Sequence, residues 1–217
     1  MVKQISNMSK ICHGILLSIA LILSSTGIAV AQIKSPQPPF DIEQFKPSSD
    51  NKTLYGDYRR KWNRLSGFEL SSLHWNQFVA VFINQSEDVY RNNYIEYLRT
   101  SQDDWDDEDE DEEETETVSK FKPYPVGTIV VKEGFDSSQG KPGEALFISI
   151  MKKREKGFDT ANGDWEYMQF DPRGKTMLKG KATKANVQAQ CAGCHLNVAD
   201  RDYVFSTFYT GKIDRLP

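Results

Sequence analysis

The chain has 217 residues, of which 38% are hydrophobic, and its formal net charge at pH 7 is −4. This length is enough for a sizeable core in one domain or in two small ones. Because there is no basic excess, the composition gives no reason to expect binding to nucleic acid.

Residues 1–31 have the form of a signal peptide. Two lysines precede an uncharged apolar stretch, and Ala29-Val30-Ala31 matches an A-x-A cleavage site. We therefore expect an exported, periplasmic protein whose mature chain begins at Gln32. An uncleaved membrane anchor is the alternative, because about 20 apolar residues can span a bilayer.

Residues 32–70 are expected to form an N-terminal lead-in to the folded domain. Its first part contains four prolines, and the spacing of Tyr58, Trp62 and Leu65 predicts a helix in its second part. The β-branched and aromatic run Phe78–Ile83 then predicts a strand.

A longer helix is predicted after this strand. Ser86 can cap its N-terminus, and Glu87 and Asp88 would occupy a first turn that favours acidic residues. One face of the helix carries a largely aromatic stripe that we expect to pack against the core: Tyr90, Tyr94, Tyr97 and Leu98.

Residues 103–116 contain twelve carboxylates and no basic residue. Such a run repels itself and resists packing, so it predicts a disordered surface insertion over 101–118. A calcium site is one alternative, although the spaced ligands and turn glycine of an EF-hand are missing. A docking segment for a basic electron-transfer partner is another, because charge steering raises encounter rates.

The second half of the chain predicts an antiparallel sheet followed by a helical segment. Asp171–Gly174, with the sequence DPRG, predicts a type I turn, and the pattern becomes helical from Thr183. Alternation along the first strand places Lys132 on one face and Glu133 on the other. These elements indicate an α+β fold, a mostly antiparallel sheet with flanking helices. The predicted strands are 128–135, 145–151, 165–170 and 175–178.

Cys191-Ala192-Gly193-Cys194-His195 has the C-x-x-C-H spacing of c-type haem attachment. The thiols of Cys191 and Cys194, one helical turn apart, can each add to a vinyl group of one haem. The adjacent His195 can then present its imidazole to the iron. We therefore predict one covalently attached haem c, with His195 as the metal ligand.

Two other uses of this motif are weaker. Without 1–31, Cys191 and Cys194 are the only cysteines, so the mature chain has no separate disulfide framework. A disulfide oxidoreductase would carry the motif early in a thioredoxin-like domain, after a strand. A zinc site would need two more ligands, and the mature chain has only one other histidine, His74.

The sequence offers the iron no obvious sixth ligand. No methionine follows His195, and Met151, Met168 and Met177 lie on predicted strands, where we expect them to pack in the core. His74 is a candidate, but a lone histidine near a strand more often has a structural role. We therefore expect an open iron that is accessible to small molecules.

Several short segments together resemble the cytochrome P-460 family. The resemblance covers roughly residues 75–210, within a predicted haem domain at 71–217. It implies an exported mono-haem c protein with a mostly antiparallel β fold and helices, often a homodimer. The segments, in the family's order, are YPVGTIVVKE (124–133), GDWEY (163–167), CAGCH (191–195) and DYVF (202–205), and HWNQF (74–78) fits a subgroup.

The resemblance also implies roles for individual residues. Cys191 and Cys194 match the thioether cysteines, His195 matches the proximal ligand, and Lys132 matches a lysine joined covalently to the haem. Members with that link are enzymes that oxidise hydroxylamine and pass electrons to an external acceptor, so Lys132 would be catalytic. A second branch, the cytochromes c′-beta, lacks the link and binds nitric oxide or carbon monoxide behind an apolar cap. Plain electron transfer is a third alternative for the function. The alternative for Lys132 itself is an ordinary surface lysine that has no bond to the haem.

The distal side of the haem is less well defined by the sequence. Loose alignment with the family places Trp75 or Phe78 near the aromatic distal cap. An enzyme also needs a proton acceptor near the bound nitrogen. Glu133 is expected to face away from Lys132 and Glu166 is a weak candidate, so the sequence assigns no general base.

Overall fold

The computed structural model describes residues 45–46, 51–106 and 120–210. All of them lie in the compact unit Pro36–Pro217. The predicted signal peptide 1–31, most of the lead-in before residue 51 and the acidic residues 107–116 lie outside the described residues. No helix in the described ranges combines the length and the apolar character needed to cross a membrane.

One antiparallel sheet of seven strands forms the centre of the described part of the chain. The strand order is β1-β3-β4-β5-β6-β7, and β2 pairs with β3 beside β1. This arrangement confirms the predicted α+β fold. The strands are β1 (Asn63–Arg64), β2 (Glu69–Ser71), β3 (Gln77–Ile83), β4 (Ile129–Phe135), β5 (Ala145–Lys153), β6 (Trp165–Phe170) and β7 (Thr176–Lys181).

The strands predicted in the second half of the chain are confirmed to within a few residues. The β-branched and aromatic content that predicted Phe78–Ile83 likewise forms β3. The turn between β6 and β7 is also confirmed, because the Gly174 N–H donates to the Asp171 carbonyl at 2.9 Å. Gly174 has a φ of +83°, which a residue without Cβ adopts without strain.

The helix predicted around Tyr58, Trp62 and Leu65 is wrong beyond its first part. Two short helices, α1 (Lys52–Tyr55) and α2 (Tyr58–Lys61), are followed by extended backbone at Trp62. Leu65 lies beside β3, where its N–H donates to the Val81 carbonyl at 2.8 Å. Pairing with β3 satisfies backbone groups that a longer helix would have bonded internally.

Helix α3 (Glu87–Asp106) directly follows Ser86 and is longer than predicted. Its continuation to Asp106 corrects the first part of the predicted disordered insertion 101–118. The returning chain is tied to its middle, where the Asn93 side chain bonds both backbone groups of Lys122 at 2.8 and 2.9 Å. Once these hydrogen bonds hold the helix in place, further turns add little to the free-energy cost, because propagation of a helix is easier than its nucleation.

Tyr90 and Tyr94 of the aromatic stripe of α3 pack inward as predicted, whereas the Tyr97 ring lies against the Arg201 guanidinium. Tyr90 is fully buried, and its hydroxyl donates to the Phe208 carbonyl at 3.0 Å. The ring of Tyr94 contacts the ring of Tyr209. Leu98, predicted to share this face, is exposed.

The two faces of the sheet carry different hydrophobic clusters. We call the face with Val81, Val130 and Lys132 the site face. Its cluster includes Tyr90 of α3 together with Val187 and Ala192 from the end of the chain. The opposite face carries a second cluster, which α1 and α2 cover: Phe45, Tyr55, Tyr58, Ala80, Phe82, Ile129, Val131, Phe135, Ile148, Ile150, Met168 and Phe170.

A buried ion pair lies on the opposite face. Only 1% of the Glu133 side chain is exposed, and the Arg59 guanidinium donates to both of its carboxylate oxygens, at 2.5 and 2.8 Å. The Tyr58 hydroxyl donates to the same carboxylate. These bonds fasten α2 to β4, and they confirm the prediction that Glu133 faces away from Lys132.

Candidate functional site

The C-x-x-C-H motif lies in a helical segment at 185–201, as predicted from the pattern after Thr183. The segment comprises α4 (Ala185–Val187), a π-helical turn (Gln188–Ala192), α5 (Gly193–His195) and a 3₁₀ stretch (Leu196–Arg201). A π turn of this kind is common at functional sites. Val187, Ala192 and Val198 are buried, which leaves Cys191 half-buried and Cys194 exposed.

A hydrogen bond from Nδ1 to a backbone carbonyl fixes the orientation of the His195 ring. Its Nδ1 donates to the Tyr203 carbonyl at 2.7 Å, which leaves Nε2 as the unprotonated nitrogen. The rings of Tyr167 and Phe205 lie against the imidazole, with centroids 5.6 and 5.2 Å away. Burial, together with the positive charge of Lys132, lowers the pKa of His195 to about 4. The imidazole is therefore neutral at pH 7, as a metal ligand must be.

Lys132 points into a cavity of about 130 Å³ on the site face. Its Nζ contacts His74 Nε2, and its charge interacts with the thiols of Cys191 and Cys194. Burial lowers the pKa of Lys132 to about 8, while the two thiols act in the opposite direction. The rest of the lining is mostly apolar: Leu70, Leu73, Val79, Val81, Phe205 and Phe208, with Ser71, Ser72 and Thr207.

His74 belongs to this site; the sequence offered it as a candidate sixth ligand but favoured a structural role. It ends a 3₁₀ turn (Ser72–His74) between β2 and β3, and the Ser71 hydroxyl bonds its Nδ1 at 2.7 Å. Burial lowers the pKa of His74 to about 3, with further contributions from Lys132 and His195. The side chain is thus a neutral imidazole whose Nε2 faces the cavity.

Several other expectations for the site are corrected. Trp75 is exposed and Phe78 packs against the cluster of the opposite face, so neither lines the cavity. Phe205 and Phe208 are the aromatic residues that line it. Glu166 faces away as well and forms an ion pair with Arg154 at 2.6 Å.

The methionines match the expectation of core packing in two cases out of three. Met151 and Met168 are buried, one in the cluster on each face of the sheet. Met177 is exposed on β7, so the prediction that it packs in the core is wrong. Because β7 is the last strand in the sheet order, one of its edges has no neighbouring strand among the described residues.

Comparison with known proteins identifies this part of the chain. Residues 101–206 match the family model Cytochrome P460. This match supports the assignment of the haem domain, predicted from the sequence, to the cytochrome P460 family. The match contains Lys132 and the C-x-x-C-H motif, whereas His74 lies upstream of it. No curated protein matches the chain.

The match to the cytochrome P460 family implies haem binding, and the side chains at the cavity and in the neighbouring C-x-x-C-H segment fit a haem. Cys191 and Cys194 carry the thiols that two thioethers would require, and the neutral His195 carries the unprotonated nitrogen that an iron ligand would require. The Tyr167 hydroxyl is buried beside His195 and has no hydrogen-bond partner among the described residues. The apolar lining suits the face of a porphyrin ring.

Proposed function

We propose that this cytochrome P460 protein carries one haem c and oxidises hydroxylamine or a related small nitrogen compound. Cys191 and Cys194 would form the thioethers, His195 would be the proximal ligand, and Lys132 would make a third covalent link. One observation carries the proposal. Lys132, on β4, is brought to the same cavity as His74, close to the two thiols and the proximal histidine.

The three covalent links differ in chemistry. Each thiol S–H adds across a vinyl double bond, so thioether formation loses no electrons. A link from Lys132 Nζ to the ring replaces one N–H and one C–H bond by one N–C bond. The two protons and two electrons released need an oxidant, and a peroxide, which is reduced to water, fills this role. Burial favours the uncharged amine that this bond requires.

The side chains around the cavity have separate tasks in the proposed reaction. When bound, the haem supplies an iron that binds the substrate nitrogen and takes up electrons. Oxidation of hydroxylamine to nitric oxide releases its three hydrogens as protons, each matched by one electron, and the electrons go to a redox partner protein. His74, whose Nε2 faces the cavity, is the proposed proton acceptor. A covalent link would remove the positive charge of Lys132, which is one of the causes that lower the pKa of His74. The apolar lining excludes water.

Capture of nitric oxide or carbon monoxide without turnover is the second candidate function. The mostly apolar lining supports it, because diatomic gases need little from a pocket beyond access to the iron. On this alternative Lys132 stays unlinked and serves as a polar neighbour of the bound gas.

The proposal also covers the setting in which the protein acts. We place it in the periplasm after removal of 1–31. The acidic residues 103–116 would attract a basic redox partner, and a homodimer is the expected assembly. Transfer rates that do not change at low salt when 103–116 is deleted would count against docking through this run.

Replacement of Lys132 by alanine tests the third covalent link. We expect the linked peptides around Lys132 and Cys191 to separate in mass spectrometry, the ferrous Soret band to lose its red shift, and turnover of hydroxylamine to fall roughly 10- to 100-fold. Exposed Lys175 is the matched control, and K175A should retain all three properties. A K132A protein with unchanged spectrum and turnover would refute the link. An ordinary five-coordinate spectrum in the unmodified protein would favour gas binding.

Replacement of His74 by alanine tests the proton acceptor. We expect haem attachment to persist and hydroxylamine turnover to fall about 100-fold, since positioned bases contribute about that much or more. Trp75→Ala is the control, because this neighbouring side chain is exposed and lies outside the cavity lining. Equal turnover in the two variants would remove His74 from the reaction.

A further inference from the structure

The carbonyl that receives the His195 hydrogen bond lies in an unusual piece of backbone. Asp202 and Tyr203 are consecutive residues with φ values of +51° and +65°. Side chains other than glycine rarely adopt this left-handed region, and two such residues in succession persist only where their surroundings hold them.

The Asp202 carboxylate gathers contacts from two separate parts of the chain. Lys153, the last residue of β5, donates from Nζ to both carboxylate oxygens, at 2.6 and 2.7 Å. The Tyr124 backbone N–H donates to the same carboxylate at 2.7 Å. Both side chains of the Asp202–Lys153 pair are largely buried, so water screens their attraction weakly.

The backbone at Asp202 and the side chain of Tyr203 are fixed as well. The indole N–H of Trp165 donates to the Asp202 carbonyl at 2.9 Å. The Tyr203 ring lies over Gly163, where a Cβ would come within 2.5 Å of it, and its hydroxyl donates to the Ala161 carbonyl at 3.2 Å. Contacts from β5, β6 and the loop before β6 thus fix Asp202 and Tyr203, and the carbonyl of Tyr203 is the one that accepts the His195 hydrogen bond.

We propose that Asp202, through its ion pair with Lys153, is a positioning residue for the proximal histidine. It holds the Tyr203 carbonyl where the carbonyl accepts the Nδ1 proton, and so sets how strongly Nε2 donates electrons to iron. The inference rests on the proposed haem ligation by His195, and it assigns Asp202 no contact with the haem. Partners of this outer kind orient a ligand and tune its basicity.

The direction of the effect follows from the hydrogen bond. A strong bond from Nδ1 to a carbonyl gives the imidazole some imidazolate character, which strengthens the iron–nitrogen bond and favours ferric iron. Loss of the ion pair releases the carbonyl and weakens this bond. The iron–histidine stretching frequency should then fall and the reduction potential should rise.

The experiment compares Asp202→Asn with Asp200→Asn in the haem-loaded protein. Asparagine tolerates a left-handed backbone and retains an oxygen for the Tyr124 N–H, but it removes the charge that Lys153 binds. Asp200 is exposed, so D200N makes the same charge change without entering the contacts around Asp202. The readouts are the iron–histidine stretch of the ferrous protein by resonance Raman spectroscopy and the reduction potential.

A lower stretching frequency and a higher potential in D202N, with neither change in D200N, would support the inference. An unchanged stretch and potential in D202N would overturn it and leave the proposed haem ligation intact. Absence of an iron–histidine band in the unmodified protein would instead overturn ligation by His195, and the inference with it. If D202N retains no haem, Lys153→Met is measured in its place, because it removes the same ion pair by replacing the lysine. The stretching frequency and the reduction potential of this variant are then read in the same way.

Discussion

Replacement of both Cys191 and Cys194 by serine is expected to eliminate haem from the peptide that contains the C-x-x-C-H motif. A serine hydroxyl does not form the thioether, and the one other cysteine, Cys12, lies in the predicted signal peptide. Covalent haem content, measured by haem staining of denaturing gels and by peptide mass spectrometry, should fall to background in this peptide. This is the largest effect expected of any substitution in the chain.

The single variants are the matched controls for the double variant. Cys191→Ser and Cys194→Ser each keep one thiol on the same helical segment, so each should retain a haem held by one thioether. Cys191 is half-buried whereas Cys194 is exposed, so Cys191→Ser should also perturb the packing more. Haem mass on the 191–195 peptide of the double variant would contradict the proposed attachment.

Replacement of Arg59 by alanine is expected to lower the free energy of unfolding by about 3–5 kcal/mol. The Glu133 carboxylate would stay buried, and within the described ranges the Tyr58 hydroxyl would be its remaining donor. Removal of one member of a buried pair is costly because the remaining charge has lost its compensation. Denaturant unfolding of the haem-loaded protein measures the change.

Arg60→Ala is the control for this substitution, because Arg60 is the exposed neighbour of Arg59 on α2. The same loss of one positive charge there should change stability by no more than about 0.5 kcal/mol. Equal losses in the two variants would show that net charge, not the buried pair, is responsible.

The Arg59→Ala deficit should also depend on pH. Burial raises the pKa of Glu133 above its ordinary value of 4.5, and Arg59 opposes that rise. Without Arg59 the pKa rises further, so the folded state binds a proton that the unfolded state releases above pH 4.5. The deficit should therefore shrink as the pH falls from neutral toward 4.5. A deficit that does not change over this range would contradict a carboxylate origin.

Local patterns were sufficient to predict five of the seven strands, β3 to β7, and to single out the C-x-x-C-H motif. The alternation of β4 separates Lys132 from Glu133, and this separation depends only on the two-residue period of a strand. The spacing of Cys191, Cys194 and His195 is likewise local. Features of this kind are set by neighbouring residues, so a sequence displays them directly.

The remaining features depend on contacts between distant parts of the chain. His74 reaches Lys132 across 58 positions of sequence, and only the pairing of β3 with β4 brings them together. Strand β1 exists because β3 offers it an edge, which overrides the helical spacing before it. The left-handed backbone at Asp202 is held by Lys153, 49 positions away. The periodicity of a sequence reports local structure and does not specify contacts between residues that are this far apart in the chain.

The adjacency of Lys132 and Glu133 on β4 has a consequence for how the molecule matures. A slip of one residue in the pairing of β4 would exchange the two side chains, placing a carboxylate in the cavity and an ammonium group among the aromatic rings of the opposite face. Lys132 could then make no bond to a haem. If the proposed function holds, the lysine–haem link forms only in molecules whose β3–β4–β5 register is correct. The presence of the link would therefore show that the sheet of that molecule had folded in the correct register.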